Sequence, residues 1–375
     1  MTREEYRAAV LDTAYLAACA VNGTVPDTER TARMDLKALY AAADRHLLTG
    51  ITAMALESAG VRDEAFTQAK GKAIRKVAAF DVERAAVLQA LEDAEIWHMP
   101  LKGCVLEELY PKIGMRQMAD NDILFDAART ADVKTIMEGL GFSSPDYTGR
   151  SVHDHFMKPP VCNFEMHRML FGRMHDARID AYYRDVKSRL IPDADSRYGY
   201  HFSDEDFYGY MIAHEYKHYS GGGTGLRSVL DTYVYLQKRS GSMDWAYIAV
   251  EAEKLGTADF EARNRSLALH LFGGEDLTAQ DGEMLDYIIF SGTYGNTRNR
   301  VINGVEKYGS GRTGKVRYVL HRLFLPMDTV RVAFPLFARF PILLPFLPLY
   351  RAFLGLTLRK DRLRTELKTL ISIKK

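Results

Sequence analysis

The sequence predicts an α+β protein in which a small mixed sheet with its helices is flanked by helical N- and C-terminal regions. Three observations carry this expectation. From Thr2 to about Asp93 the chain is rich in Ala, Leu, Glu, Lys and Arg, and apolar residues return every three or four positions. Between Glu95 and Leu170 the pattern changes to strand, helix, strand, helix, strand, the order of a compact α/β unit. From Ser203 onward the chain reads as mostly helical again. The segments expected are therefore 1–93, 94–200, 201–310 and 311–375.

The first segment reads as roughly four helices, punctuated at Asn22–Pro26, Gly50 and Gly60, with Leu36, Leu39, Tyr40, Ala43 and Leu47 as one apolar stripe. A packing role without chemistry is its simplest reading. IWHMPLKG is then a short strand ending in a glycine turn, CVLEELYP is helix-like, and MADNDILFD holds an apolar strand. ARTADVKTIMEGLGF is an amphipathic helix closed by Gly139 or Gly141, and PPVCNFEMHRML holds a further strand. A glycine loop at Gly221–Gly225 divides the later helices.

Hydrophobic residues make up 47% and charged residues 26% of the 375, which excludes collagen-like, disulfide-scaffold and wholly disordered classes. The formal net charge of +1 hides a segregation of sign. From Arg312 to Lys375 fourteen Lys and Arg face three acids, a balance of +11, so the preceding residues carry −10. Three widely spaced cysteines suit a reducing compartment, and Glu4, Glu5 and Asp12 deny the N-terminus the pattern of a signal peptide. The expected location is the cytoplasm.

Asp120 and Asp122, two apart in a strand, direct both carboxylates to one face, where their repulsion calls for a cation. Hard oxygen ligands of this kind suit Mg²⁺, and Glu165 on the next predicted strand can add a third carboxylate. Lys102 and Gly103 end the first strand, where backbone NH groups can approach phosphate, and Lys102 or Arg116 can neutralise triphosphate charge. Alone, Asp-Asn-Asp equally fits a solvated turn. Its surroundings favour the metal reading.

The stretch from Ile96 to Asp126, followed by NFEMH, resembles the uncharacterised bacterial nucleotidyltransferase family of the DNA polymerase β superfamily. The matching positions are Leu101, Lys102 and Gly103; Tyr110 and Pro111; Arg116, Met118, Asp120, Asp122 and Leu124; and Glu165 with His167. The resemblance implies a polymerase β-like core, Mg²⁺ dependence and transfer of a nucleoside monophosphate from a nucleoside triphosphate to a hydroxyl, that of a small molecule or glycan precursor. It makes Asp120 and Asp122 metal ligands, Glu165 the carboxylate that helps deprotonate the acceptor, and Gly103 the phosphate turn. Asn121 stands where the family is usually apolar, Glu165 where Asp is common, and the gap from Gly103 to Asp120 exceeds that of the wider superfamily. A non-catalytic nucleotide-binding accessory protein is the non-enzyme alternative.

HEYKH, from His214 to His218, has the spacing of a zinc metallopeptidase helix, with Glu215 as base and Asp231 as a third ligand. It is the second enzyme reading. GSGRTGKV at Gly309–Val316 lacks the Walker A hydroxyl and reads as a flexible basic loop, while His153 and His155 read as surface or cleft residues. The tail contains five of the twelve prolines, and only eleven uncharged residues run between Arg339 and Arg351, too few to span a bilayer. It either wraps apolar side chains around the body or lies peripherally in a membrane interface; its aromatics interleave with Leu and Pro, which argues against nucleic acid.

Overall fold

The computed structural model describes residues 1–172, 176–309, 311–358 and 360–373. Helix α1 (Arg3–Asn22) opens with a reciprocal cap between Thr2 and Glu5 and closes at Gly23, whose φ of 68° suits glycine. Asp27, Asp35 and Asp63 cap α2 (Thr28–Ala32), α3 (Leu36–Arg45) and α5 (Glu64–Asp93). The element beyond the four helices expected is the five-residue α2. Gly50 is no break: it lies inside α4 (Thr49–Ser58), and a Cβ there would meet the Gly114 carbonyl at 2.5 Å. The chain turns instead at Leu47, with φ 55°. Leu16, Leu39, Ala43, Leu56 and Phe66 close the core of this bundle.

The sheet follows. Its strands are β1 (His98–Leu101), β2 (Asn121–Phe125), β3 (His153–Lys158) and β4 (Cys162–His167), in spatial order β1-β2-β4-β3. β2 and β4 run parallel, and both outer strands pair antiparallel. Helix α6 (Gly103–Leu106) leaves β1, and α7 (Thr130–Gly139) makes the crossover after β2. β3 was not expected. Its outward positions are His153, His155 and Met157, and its buried Asp154 accepts from Arg168 at 2.7 Å, so no apolar alternation announces it.

The two faces of the sheet differ in chemistry. Ile123, Phe125, Phe156, Phe164 and Met166 pack on Val77, Phe80, Val87 and Leu91 of α5 and on Val133 and Met137 of α7. Alternation then directs Asp122, Glu165 and His167 to the opposite face.

After β4 come α8 (Ala177–Tyr182), the short pair β5 (Ile191–Pro192) and β6 (Tyr200–His201), and helices α9 (Asp204–Gly221), α10 (Leu226–Arg239), α11 (Trp245–Leu255), α12 (Ala258–Gly273) and α13 (Ala279–Ser291). The chain forms two compact units: residues 1–215 with 225–293, and residues 216–224 with 294–375.

In the second unit α14 (Thr297–Lys307), α15 (Gly311–Leu323) and α19 (Lys360–Ser372) enclose a small core of Val301, Val305 and Tyr318 with Leu370 and Ile373 against it. Between them run α16 (Met327–Ala333), α17 (Pro335–Arg339), a 3-10 stretch at Pro341–Phe346 and α18 (Leu347–Leu358). Most of the expected basic loop is helix: Gly311–Val316 opens α15, and Gly314 lies so near the Gly309 carbonyl that a Cβ would meet it at 2.0 Å. Ser310 of that stretch and Arg359, Lys374 and Lys375 of the basic end lie outside the described residues. No described helix is by itself long and apolar enough to cross a membrane.

Candidate active site

The site is built on the polar face of the sheet by register. Parallel pairing sets Asp122 beside Glu165, and antiparallel pairing sets His155 beside Glu165 and His153 beside His167. Lys102 enters at the end of β1 and donates to Asp122 Oδ1 at 2.6 Å, with Glu165 Oε2 3.6 Å away. His167 Nε2 donates to Asp122 Oδ1 at 2.8 Å and lies 3.3 Å from Glu165 Oε2. His153 and His155 each stand 3.6 Å from a Glu165 oxygen. These two histidines, read from the sequence as surface or cleft residues, belong to the site. The signal that could have found them is their i, i+2 spacing, which places both on one face of a strand.

Electrostatics follow from this crowding. Burial raises the Asp122 carboxyl, but the Lys102 charge and the His167 hydrogen bond outweigh it and hold Asp122 well below the usual carboxylate range. Burial likewise opposes ionisation of Glu165, yet His167, Lys102 and His153 leave its pKa lowered. Asp120, one residue before β2, is pushed up to about 7 by burial and by the charges of Asp122 and Glu165. Burial and the neighbouring His167 take His153 down to about 4, so it is a neutral imidazole.

This donor set fits a divalent cation. One ammonium already bridges two of its carboxylates, and the third is burdened by their charge. Among the described residues, the group whose ligand atoms lie within 4.8 Å of one another is His153, Glu165 and His167. Asp122 is hydrogen-bonded to His167 of that group and to Lys102, whereas Asp120 lies outside it and only feels the charges of Asp122 and Glu165.

The other predicted residues take different places. Arg116 is buried, and its guanidinium grips Asp231 through two hydrogen bonds of 2.8 and 2.9 Å, while Tyr110 donates to the same carboxylate at 2.8 Å. It is therefore spoken for as a structural anchor and not available to a triphosphate. Gly103 has a packing reason of its own, since a Cβ would stand 2.6 Å from Arg116 Nη1 and 3.0 Å from the Met118 thioether. Two further cations act on Asp120 instead. Lys76 of α5 donates to the Ala119 carbonyl at 2.9 Å, and Arg227 of α10 donates to the Gln117 carbonyl at 2.7 Å. Tyr210 of α9 brings a buried hydroxyl without a hydrogen-bond partner, electrostatically coupled to Lys102, Asp122 and Glu165.

Asn121 does not enter the site. It faces α5, accepts from Arg84 Nη1 at 3.1 Å and Cys104 Sγ at 3.3 Å, and donates to the Phe80 carbonyl at 3.4 Å. HEYKH does not assemble the expected zinc site. Glu215 is buried, receives the Asn264 amide at 3.2 Å, and is pushed up to about 7 by burial; Asp231 is held by Arg116 and Tyr110. Among the described residues neither His214 nor His218 joins a group of three metal-ligating side chains.

No curated protein and no solved structure matches the chain. The sequence pattern of a family described as uncharacterised nucleotidyltransferase matches residues 32–273, nearly two-thirds of the chain and the part that contains the whole sheet and its polar face. The chain therefore belongs to the uncharacterised nucleotidyltransferase family and is an enzyme of the nucleotidyltransferase type.

Proposed function

We propose that the enzyme transfers a nucleoside monophosphate from a nucleoside triphosphate to a hydroxyl of a small-molecule or glycan-precursor acceptor, with Mg²⁺, on a polymerase β-like core. The observation that carries this reading is the in-register pair of Asp122 and Glu165, bridged by Lys102 on the polar face of the sheet. Asp120, Asp122 and Glu165 would hold the metal; bound Mg²⁺ supplies positive charge to the attacking and leaving oxygens. Glu165, ionised and flanked by His167, takes the proton of the acceptor hydroxyl as its oxygen bonds to the α-phosphorus. The bond from that phosphorus to the bridging oxygen breaks, and pyrophosphate leaves. Lys102, Lys76 and Arg227 supply cations for the phosphates, and the Tyr210 hydroxyl a further donor. Three free, buried thiols at Cys19, Cys104 and Cys162 support a reducing, cytoplasmic setting.

The test supplies each radiolabelled nucleoside triphosphate with Mg²⁺ and a panel of hydroxyl acceptors, and follows pyrophosphate release and label transfer. Asp122→Ala is expected to lower turnover by about a thousandfold. Wild-type turnover in that variant would refute the reading.

A further inference from the structure

The second unit leaves a large apolar surface in water. Among the described residues, seventeen of the twenty-nine exposed large apolar side chains lie between Val316 and Ile371. They are not scattered. Leu349, Phe353 and Leu356 follow at steps of four and three, the spacing of one face of α18, and Ile342 and Phe346 stand exposed on the 3-10 stretch that leads into it. Their exposures run from 59% to 81%. Other side chains of the unit do find partners: Phe334, Phe337 and Tyr350 pack on each other at 5.4 to 6.3 Å, and Leu347 is buried. The stripe is surplus to that packing. A monomer rarely exposes so continuous an apolar face unless something covers it.

Charge identifies the occupant. From Thr329 to Lys360 the sequence has no acidic residue and five cations, Arg331, Arg339, Arg351, Arg359 and Lys360. α19 adds exposed Arg364 and Lys368. Of the two acids of α19, exposed Asp361 stands 3.9 Å from Arg364, and Glu366 is paired with Arg322, at 2.9 Å, and with Arg362, at 3.4 Å, so the cations remain in excess. A short helix with a bulky apolar face, too short to span and set in a region of excess positive charge, matches an interface rich in anionic lipid. A second copy of this unit would carry the same excess charge and meet it with repulsion.

We infer that the segment from Phe340 to Leu356 is a docking surface for an anionic lipid bilayer, with the Ile342–Phe346–Leu349–Phe353–Leu356 stripe entering the acyl boundary. The inference stands independently of the nucleotidyl-transfer chemistry. It develops the peripheral reading of the tail.

Flotation of the full-length protein with phosphatidylcholine vesicles, with and without phosphatidylglycerol, tests it. The protein is expected to float with the anionic vesicles, weakly with the neutral ones, and to be released by salt. Joint replacement Phe346→Ser, Leu349→Ser and Phe353→Ser is expected to lower partitioning about a hundredfold or more. Each of Arg339→Gln, Arg364→Gln and Lys368→Gln is expected to lower it about fivefold. These positions are exposed, and an unchanged circular dichroism spectrum and melting curve would verify the fold. Absence of flotation, flotation indifferent to the triple replacement, or self-association abolished by that replacement without vesicle binding would each overturn the inference.

Discussion

Lys102 adopts φ 47° and ψ −115°, a conformation costly for a residue with a side chain, on the order of 1–3 kcal/mol. What it delivers is an ammonium between Asp122 and Glu165. Removing that charge leaves buried carboxylates without a counter-ion. Lys102→Met is expected to destabilise the metal-free protein by about 3 kcal/mol, with added Mg²⁺ restoring most of the loss. Chemical denaturation in chelator and in Mg²⁺ measures both values; an equal loss in the two would mean that ammonium and metal do not share a site. At this scale the sequence was informative about acids and less so about bases. Asp122 and Glu165 could be found because strand alternation and a local pattern expose them. Lys76 could not, because it reaches Asp120's neighbourhood from a helix distant in sequence and leaves no local trace.

Among the elements, the loop between α6 and β2 depends on α10. Tyr110 and Arg116 both close on Asp231, so two of the residues that mark the family pattern hold the loop's shape. Asp231→Ala strands a buried guanidinium and is expected to cost about 3–5 kcal/mol, read from the urea midpoint. A cost under about 1 kcal/mol would show that the anchor is dispensable. The strands β1, β2 and β4 and helix α7 were legible because apolar residues dominate or alternate in them. β3 was not, because its inward Asp154 is satisfied by Arg168, a partner from the chain beyond β4. Gly50 misled for a related reason: its close neighbour is Gly114, and sequence distance conceals a contact that only glycine permits.

Across the first unit, remote elements meet at single polar residues. His46 follows α3, accepts from the Leu226 amide of α10 at 3.0 Å and contacts the Tyr6 hydroxyl of α1 at 3.2 Å. Burial, aided by the Arg45 charge, takes its pKa down to about 4 from 6.5. The unfolded chain therefore binds the proton first as pH falls, so stability is intact above about 6.5 and declines toward pH 4. The expected loss is about 3 kcal/mol, and His46→Asn should flatten that part of the profile of unfolding free energy against pH. At this scale the charge segregation was plain from counting, whereas exposure of the tail's apolar stripe required knowing which of its side chains the unit buries. The two-sided sheet has a consequence in genetic terms. Along β4, Cys162, Phe164 and Met166 serve the core while Glu165 and His167 serve the polar face. Lesions at the former are expected to produce temperature-sensitive alleles, because they weaken folding and leave the chemistry intact when cool. If Glu165 and His167 act as proposed, lesions there are expected to produce nulls that no temperature rescues, so one short strand would carry two kinds of phenotype in alternation.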